Sequence, residues 1–222
     1  SLCRLLLDEI AAQTDAGAPA ADFDAFLAAY FKRLGAAIAE AVAHQRRLRE
    51  DRRRFGRKPL QSLFTRDCVG RARDIDDGGA LTNWVECSFV GLANLADSLE
   101  VIRDEVFETR QLTLAALRRM LDDDFADHEE TRLRFLNKHP KYGNQVERVD
   151  ALVARVAEAF TRECARHRLP PDESPFVPGT FCWVMHERLG AECGATPDGR
   201  RRGVPFADGG GPAQGREKGG PT

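Results

Sequence analysis

The close of the chain constrains it most. From Pro178 a short apolar run, TFCWVM (Thr180 to Met185), leads into HERLG and then into GATPDGRRRGVPFADGGGPAQGREKGGPT. Thirteen of the last 29 residues, Gly194 to Thr222, are Gly or Pro, which by content alone describes a flexible tail. Their order argues otherwise. In Thr196-Pro197-Asp198-Gly199-Arg200 a residue of fixed φ is followed by a carboxylate able to bond the backbone ahead and by a residue free to take positive φ. This predicts a tight turn presenting Arg200 to Arg202, with Val204 and Phe206 as isolated apolar anchors. The apolar run, bounded by Pro178-Gly179 and Gly190, predicts a strand over 180–185 buried on both faces, as in a parallel sheet covered by helices. Ligands collect at the carboxyl ends of such strands. His186, Glu187 and Arg188, three ionisable side chains directly after the run, are therefore the candidate substrate-binding residues. Arg188 offers a planar five-donor fork suited to a carboxylate or sulfonate, which points to a small anionic substrate. An ion pair between Glu187 and one of Arg200 to Arg202 is the plain structural alternative.

Upstream, apolar spacings of three and four predict helices. Leu2 to Ile10 reads as a short helix stopped by Gly17 and Pro19. Asp22 precedes Phe23, Phe26, Leu27, Tyr30, Leu34, Ile38 and Ala41, one face of a long amphipathic helix. It continues into RRLREDRRRFGRK, where eight of thirteen residues from Arg46 to Lys58 are basic. That segment reads as a solvated helix end favoured by the dipole, with a phosphate-binding patch as its functional counterpart. Pro59 starts a helix with Leu60, Leu63, Phe64 and Cys68 on one face, closed by a turn-rich loop over Asp74 to Gly79. Trp84 to Val106 keeps the helical pattern, with Asn94, Asp97 and Ser98 as interruptions that cap and bridge neighbouring helices. Leu114 to Leu121 is another helix, broken by Asp122 to Asp124. His128, Glu129 and Glu130 read as a solvated helix start, since no second ligand stands at a matched helical step. Asn144 and Glu147 have the spacing of a capping box for a helix burying Val146, Val149, Leu152, Val153, Val156, Phe160 and Cys164. Pro170, Pro171, Pro175 and Pro178 make an extended connector.

A chain of 222 residues and 24.7 kDa suits one domain or part of a larger one. The absence of Met at position 1 and the dense motif at the end favour a part. A net charge of -2 exerts no pull on nucleic acid or anionic membrane, so neither is expected as a partner. No apolar run approaches the roughly 18 residues of a membrane span, and no secretory pattern opens the chain. A soluble cytoplasmic protein is expected. Six cysteines lack any C-x-x-C pair, which argues for buried reduced thiols and against zinc or disulfides. No Ser-His-Asp elbow, phosphate loop or paired metal ligands of a hydrolase occur.

The string G-A-T-P-D-G-R-x-x-G-x-P-x-A-D-G from Gly194 to Gly209 joins three looser ones in order: KPLQSLFTRDCVGRARDIDDGGA (Lys58 to Ala80), VGLANLADSLEVI (Val90 to Ile102) and HPKYGN followed by Asp150. With these strings the sequence resembles the glycyl radical enzymes of the pyruvate formate-lyase and cobalamin-independent glycerol dehydratase type. The resemblance covers essentially the whole chain, most weakly Ser1 to Arg57. Thr196, Pro197, Asp198, Gly199 and Arg200 are its structural signature.

The resemblance implies an α/β fold, a ten-stranded barrel wrapped by helices. Residues 1–222 would be part of a single domain: 1–57 helical, 58–168 a helical layer, 178–222 the barrel strand and signature loop. It implies a substrate cavity partly built by the segment before the signature, hence His186, Glu187 and Arg188. In that family a backbone glycyl radical passes to a cysteine, whose thiyl opens a C–C, C–O, C–N or C–S bond. A partner activating enzyme installs the radical anaerobically with S-adenosylmethionine and an iron-sulfur cluster, and the full-length enzyme is a homodimer. The two radical-bearing motifs, G-C-V-E and R-V-x-G-[YF], do not occur here. Cys68-Val69 begins like the first, but Gly70 stands where Glu belongs. The expectation is a fragment between the two carriers, inert alone, with no catalytic residue, cofactor or metal of its own. The competing reading is a non-enzymatic helical interaction module using the basic segment 46–58.

Overall fold

The computed structural model describes residues 1–17 and 19–220; Pro221 and Thr222, the last of the Gly/Pro-rich run, lie outside them. In chain order the elements are α1 (Leu2–Asp15), α2 (Phe23–Phe55), α3 (Pro59–Phe64), β1 (Val85–Ser88), α4 (Leu92–Ile102), α5 (Leu114–Asp122), α6 (Glu129–Asn137), α7 (Glu147–Ala165), β2 (Arg168–Leu169), β3 (Ser174–Gly179) and α8 (Met185–Ala191). A 3-10 turn, Ile75–Asp77, follows α3, and a wider π-type turn, Arg103–Glu108, extends α4. The chain divides into two compact units, Ser1–Leu34 with Ser88–Ala159 and Thr180–Thr222, and Gly35–Cys87 with Phe160–Gly179. Among the described residues no helix is long and apolar enough to cross a membrane.

The first unit is helical. The Ser1 hydroxyl caps α1 by accepting from Arg4 N at 3.3 Å, and Leu2, Cys3, Leu6 and Ile10 turn inward. The helix runs past the expected Ile10 to Asp15 because nothing before Gly17, at φ +62, stops it. Asp22 caps α2 by accepting from Ala25 N at 2.8 Å, and the predicted stripe of Phe23, Phe26, Leu27, Tyr30 and Leu34 is buried. Thr113 caps α5, whose Leu114, Leu117 and Leu121 are buried.

The helix expected over Trp84 to Val106 begins only at Leu92. Residues 85–88 are strand, and Gly91, at φ +88, separates the two. Every residue of α4 is buried, so its polar side chains need partners inside the unit. The capping box predicted at Asn144 does not form. The Asn144 side chain instead donates to Lys141 O and Arg216 O and accepts from Lys218 N at 2.7 Å.

The second unit holds the sheet, ordered β1-β3-β2, in which β2 and β3 are antiparallel with Leu169 opposite Ser174. The proline-rich connector is extended as expected only over 174–179, where it is paired; residues 170–173, with Pro170 and Pro171, form the turn between β2 and β3. Arg49 of α2 donates to Leu169 O, Pro170 O, the Asp172 carboxylate and Ser174 Oγ. Arg53 and Arg54 reach Glu50, and Lys58 reaches Asp76 at 3.0 Å. Much of the basic segment 46–58 is therefore spent on partners within its own unit. The face predicted for α3 is reversed: Leu60, Leu63 and Phe64 are exposed, and only Cys68, beyond the helix, is buried. All six cysteines are free, five of them buried.

The buried strand predicted over 180–185 is absent. The described strands are residues 85–88, 168–169 and 174–179, while 180–184 form an irregular segment and Met185 opens α8. Phe181 and Trp183 are 67% and 72% exposed. A continuous apolar run carries no periodicity to separate strand from other conformations, and Trp183, at φ +48, lies in the left-handed region that ends extended backbone.

Candidate functional site: the signature loop and the segment before it

The signature folds as the tight turn its residues dictate. Gly199 N donates to Thr196 O and Thr196 N to Arg200 O, each at 3.0 Å, with Gly199 at φ +91. Asp198 Oδ1 accepts from Arg200 N at 3.3 Å and from Thr196 Oγ1. The turn is locked onto α4: Asn94 Nδ2 donates to Asp198 Oδ2 at 2.7 Å, Asn94 Oδ1 accepts Ala207 N at 2.7 Å, and Ser98 Oγ accepts Asp198 N at 3.2 Å.

Arg200 is not presented as predicted. It is buried, and its guanidinium donates to the carbonyls of Gly190, Cys193, Gly194, Arg201 and Val204 and to Thr196 Oγ1. It also lies 4.4 Å from the Phe206 ring centroid. Five carbonyls face inward here, and a planar fork satisfies them together. Arg201 turns out to Glu129 at 2.6 Å and to Asp124 O, and Arg202 N donates to Asp124 Oδ1. None of the described ion pairs joins these arginines to Glu187.

His186, Glu187 and Arg188 occupy the first turn of α8 and not a strand end. Glu187 and Arg188 are exposed, with Arg188 Nε 3.3 Å from Glu192. His186 is set apart from them. Its Nδ1 lies 3.1 Å from Trp183 O, 3.7 Å from Asp208 Oδ1 and 3.8 Å from Cys182 Sγ. Gly209 N donates to Cys182 Sγ at 3.2 Å, so the signature loop stays attached to the 180–185 segment although the latter is no strand.

The model of the pyruvate formate lyase-like family matches residues 7–190. This chain belongs to that family. It is 38% identical over 170 residues to the probable dehydratase YbiW of Escherichia coli, covering 73% of this chain and 21% of that protein. It is 30% identical over 164 residues to trans-4-hydroxy-L-proline dehydratase of Clostridioides difficile, covering 74% and 21%. The B12-independent glycerol dehydratase of Clostridium butyricum, solved with glycerol bound, superposes with a TM-score of 0.89 at 28% identity over 97% of this chain and 28% of that one. The chain thus spans about a fifth of the length of the curated relatives it matches.

In this pyruvate formate lyase-like chain, the residues that hold the signature were legible as anomalies and not as a site. Asn94, Asp97 and Ser98 were expected to bridge helices; two of them grip the loop, and Asp97 accepts Tyr142 N at 2.8 Å. Lys141 Nζ, also buried, donates to Phe135 O at 2.7 Å and to Asp198 O at 3.4 Å. Burial raises the Asp97 carboxyl from 3.8 to about 7, with Lys141 opposing the rise, and burial lowers the Lys141 ammonium. The folded chain thus holds the Asp97 proton more tightly than the unfolded chain. Its effect on stability is most favourable below 3.8 and declines as pH rises toward about 7. At about 1.4 kcal/mol per pKa unit, the change amounts to a few kcal/mol. Asp97→Asn keeps an acceptor for Tyr142 N and removes the titration. The stability of the original chain relative to Asp97→Asn should fall between pH 5 and pH 8 in urea titrations, and a constant difference would refute the assignment.

Proposed function

We propose that the protein carrying this chain is a glycyl radical lyase of the dehydratase type, expelling a leaving group by C–O cleavage from a small anionic substrate. The supporting observation is the signature turn, held by Asp198 on the fully buried α4 in a chain whose relatives include several dehydratases. Isethionate sulfite-lyases among them keep C–S cleavage as the second reading. An acyl transfer reading has less behind it, since the PFL-like enzyme TdcE aligns over 36% of this chain.

The chemistry of such an enzyme is supplied by a glycyl radical and a cysteine thiyl. This sequence has no G-C-V-E or R-V-x-G-[YF] motif, so its own residues do not fit the part of radical carrier. Their part is to shape. The signature turn fixes the backbone after α8, and α8 leaves Arg188 exposed for a substrate carboxylate or sulfonate, with His186 and Glu187 beside it. The 222 residues alone are inert in this reading. The complete protein is a homodimer with the family's ten-stranded barrel, activated by a partner enzyme using S-adenosylmethionine and an iron-sulfur cluster.

The test is anaerobic activation of the complete polypeptide with its activating enzyme and S-adenosylmethionine. A glycyl radical signal by electron paramagnetic resonance and substrate-dependent elimination are expected; no radical after activation would end the proposal. In that enzyme, losing the charge-assisted bonds of Arg188 should raise KM about 10- to 100-fold in Arg188→Ala. Unchanged kinetics would remove Arg188 and the anionic substrate while leaving the reaction class standing.

A further inference from the structure

Four lone-pair donors converge where the signature loop returns to the start of α8. Cys182 Sγ lies 3.0 Å from Asp208 Oδ1 and 3.8 Å from His186 Nδ1, and Asp208 Oδ1 lies 3.7 Å from the same nitrogen. The Trp183 carbonyl oxygen is 3.1 Å from that nitrogen and 3.8 Å from the sulfur. The sulfur and Nδ1 carry at most one proton each, and each has the same two oxygens, Asp208 Oδ1 and the Trp183 carbonyl, as neighbours. A Cys-His-Asp proton relay does not explain this, because it needs the carboxylate on the ring nitrogen opposite the sulfur. Here both crowd Nδ1.

We propose that Cys182, His186 and Asp208, with the Trp183 carbonyl, bind one divalent cation of the zinc class. Tetrahedral bonds of about 2.3 Å to sulfur and about 2.0 Å to nitrogen and oxygen would set the ligand atoms about 3.3–3.6 Å apart. The three side-chain distances, 3.0, 3.7 and 3.8 Å, lie just outside that range, so small shifts of the side chains bring the ligand atoms onto one ion. Thiolate with imidazole selects zinc, cobalt or iron over magnesium and calcium, and thiolate plus carboxylate neutralise the ion. Binding releases the thiol proton to solvent and moves the neutral ring's proton from Nδ1 to Nε2. The Gly209 N–H supports the sulfur from outside the coordination sphere, the role expected of a hydrogen bond behind a ligand. Cys182 is buried while the Asp208 side chain is 67% exposed, so the ion has a path in. The other cluster of metal-ligand types among the described residues, Asp104, Glu105 and His139, already has a cation: Arg134 Nη1 lies 2.9 Å from Glu105.

This inference is independent of the parent reaction. The experiment titrates cobalt(II) into the reduced, unactivated complete protein under nitrogen. One equivalent should bind with a thiolate-to-cobalt charge-transfer band, and zinc should displace it. Cys182→Ser should abolish the band. Asp208→Asn, altering an exposed carboxylate, should weaken binding at least about 10-fold while leaving the circular dichroism unchanged. Absence of a charge-transfer band, its survival in Cys182→Ser, or full affinity in both His186→Ala and Asp208→Asn would overturn the site.

Discussion

Arg200→Ala is expected to lower the unfolding free energy of the chain by about 3–5 kcal/mol, the range in which a single change disables a buried network. The substitution takes one guanidinium from five carbonyls and one hydroxyl and from the face of Phe206. Those acceptors surround a buried side chain, so water does not replace the lost donors without opening the turn. Arg200→Lys should recover little: an ammonium has three donors at a point, and the carbonyls are spread around a plane. Urea denaturation followed by far-ultraviolet circular dichroism measures both. A loss under about 1 kcal/mol for the alanine variant would mean that the turn is held by something other than Arg200.

Gly199→Ala should be nearly as damaging, for a steric reason. Gly199 sits at φ +91, and a Cβ there would stand 2.9 Å from Arg132 O, 3.0 Å from Leu136 Cβ and 3.1 Å from Leu136 N. Two of those atoms are backbone of α6, which does not yield as a flexible side chain would. Left-handed strain of about 1–2 kcal/mol and overpacking of about 1–3 kcal/mol therefore add. Gly203, at φ +79 with nothing within 4 Å of its Cβ position, is the control. Its alanine variant should show the strain alone. Equal losses at the two positions would show that crowding against α6 contributes nothing.

How far the sequence spoke depended on periodicity. The faces of α2 and α7 were legible because Phe26, Leu27 and Tyr30, or Val149, Leu152 and Val156, recur at helical steps and are buried. Residues 180–185 were misread because an unbroken apolar run has no phase, and nothing local announced that Trp183 would take φ +48. At the signature, turn chemistry correctly gave the Gly199 conformation and the bond from Arg200 N to Asp198. The direction of the Arg200 side chain was hidden, since it depends on carbonyls that converge only after folding. Asn94 and Ser98 were visible as polar interruptions of an apolar helix, but their partners lie 104 and 100 residues away. Likewise, Cys182 and Asp208, 26 residues apart in irregular segments, share no spacing rule that a motif search would catch.

That separation bears on synthesis. A ribosome that has released α4 but not yet residues 196–207 leaves Asn94 and Ser98 without the groups they hold in the finished chain, on a helix with no outward face. The growing polypeptide must keep that helix hydrated or shielded until about a hundred further residues have emerged. Shortening the chain just before residue 196 should therefore yield aggregates and not a smaller folded body.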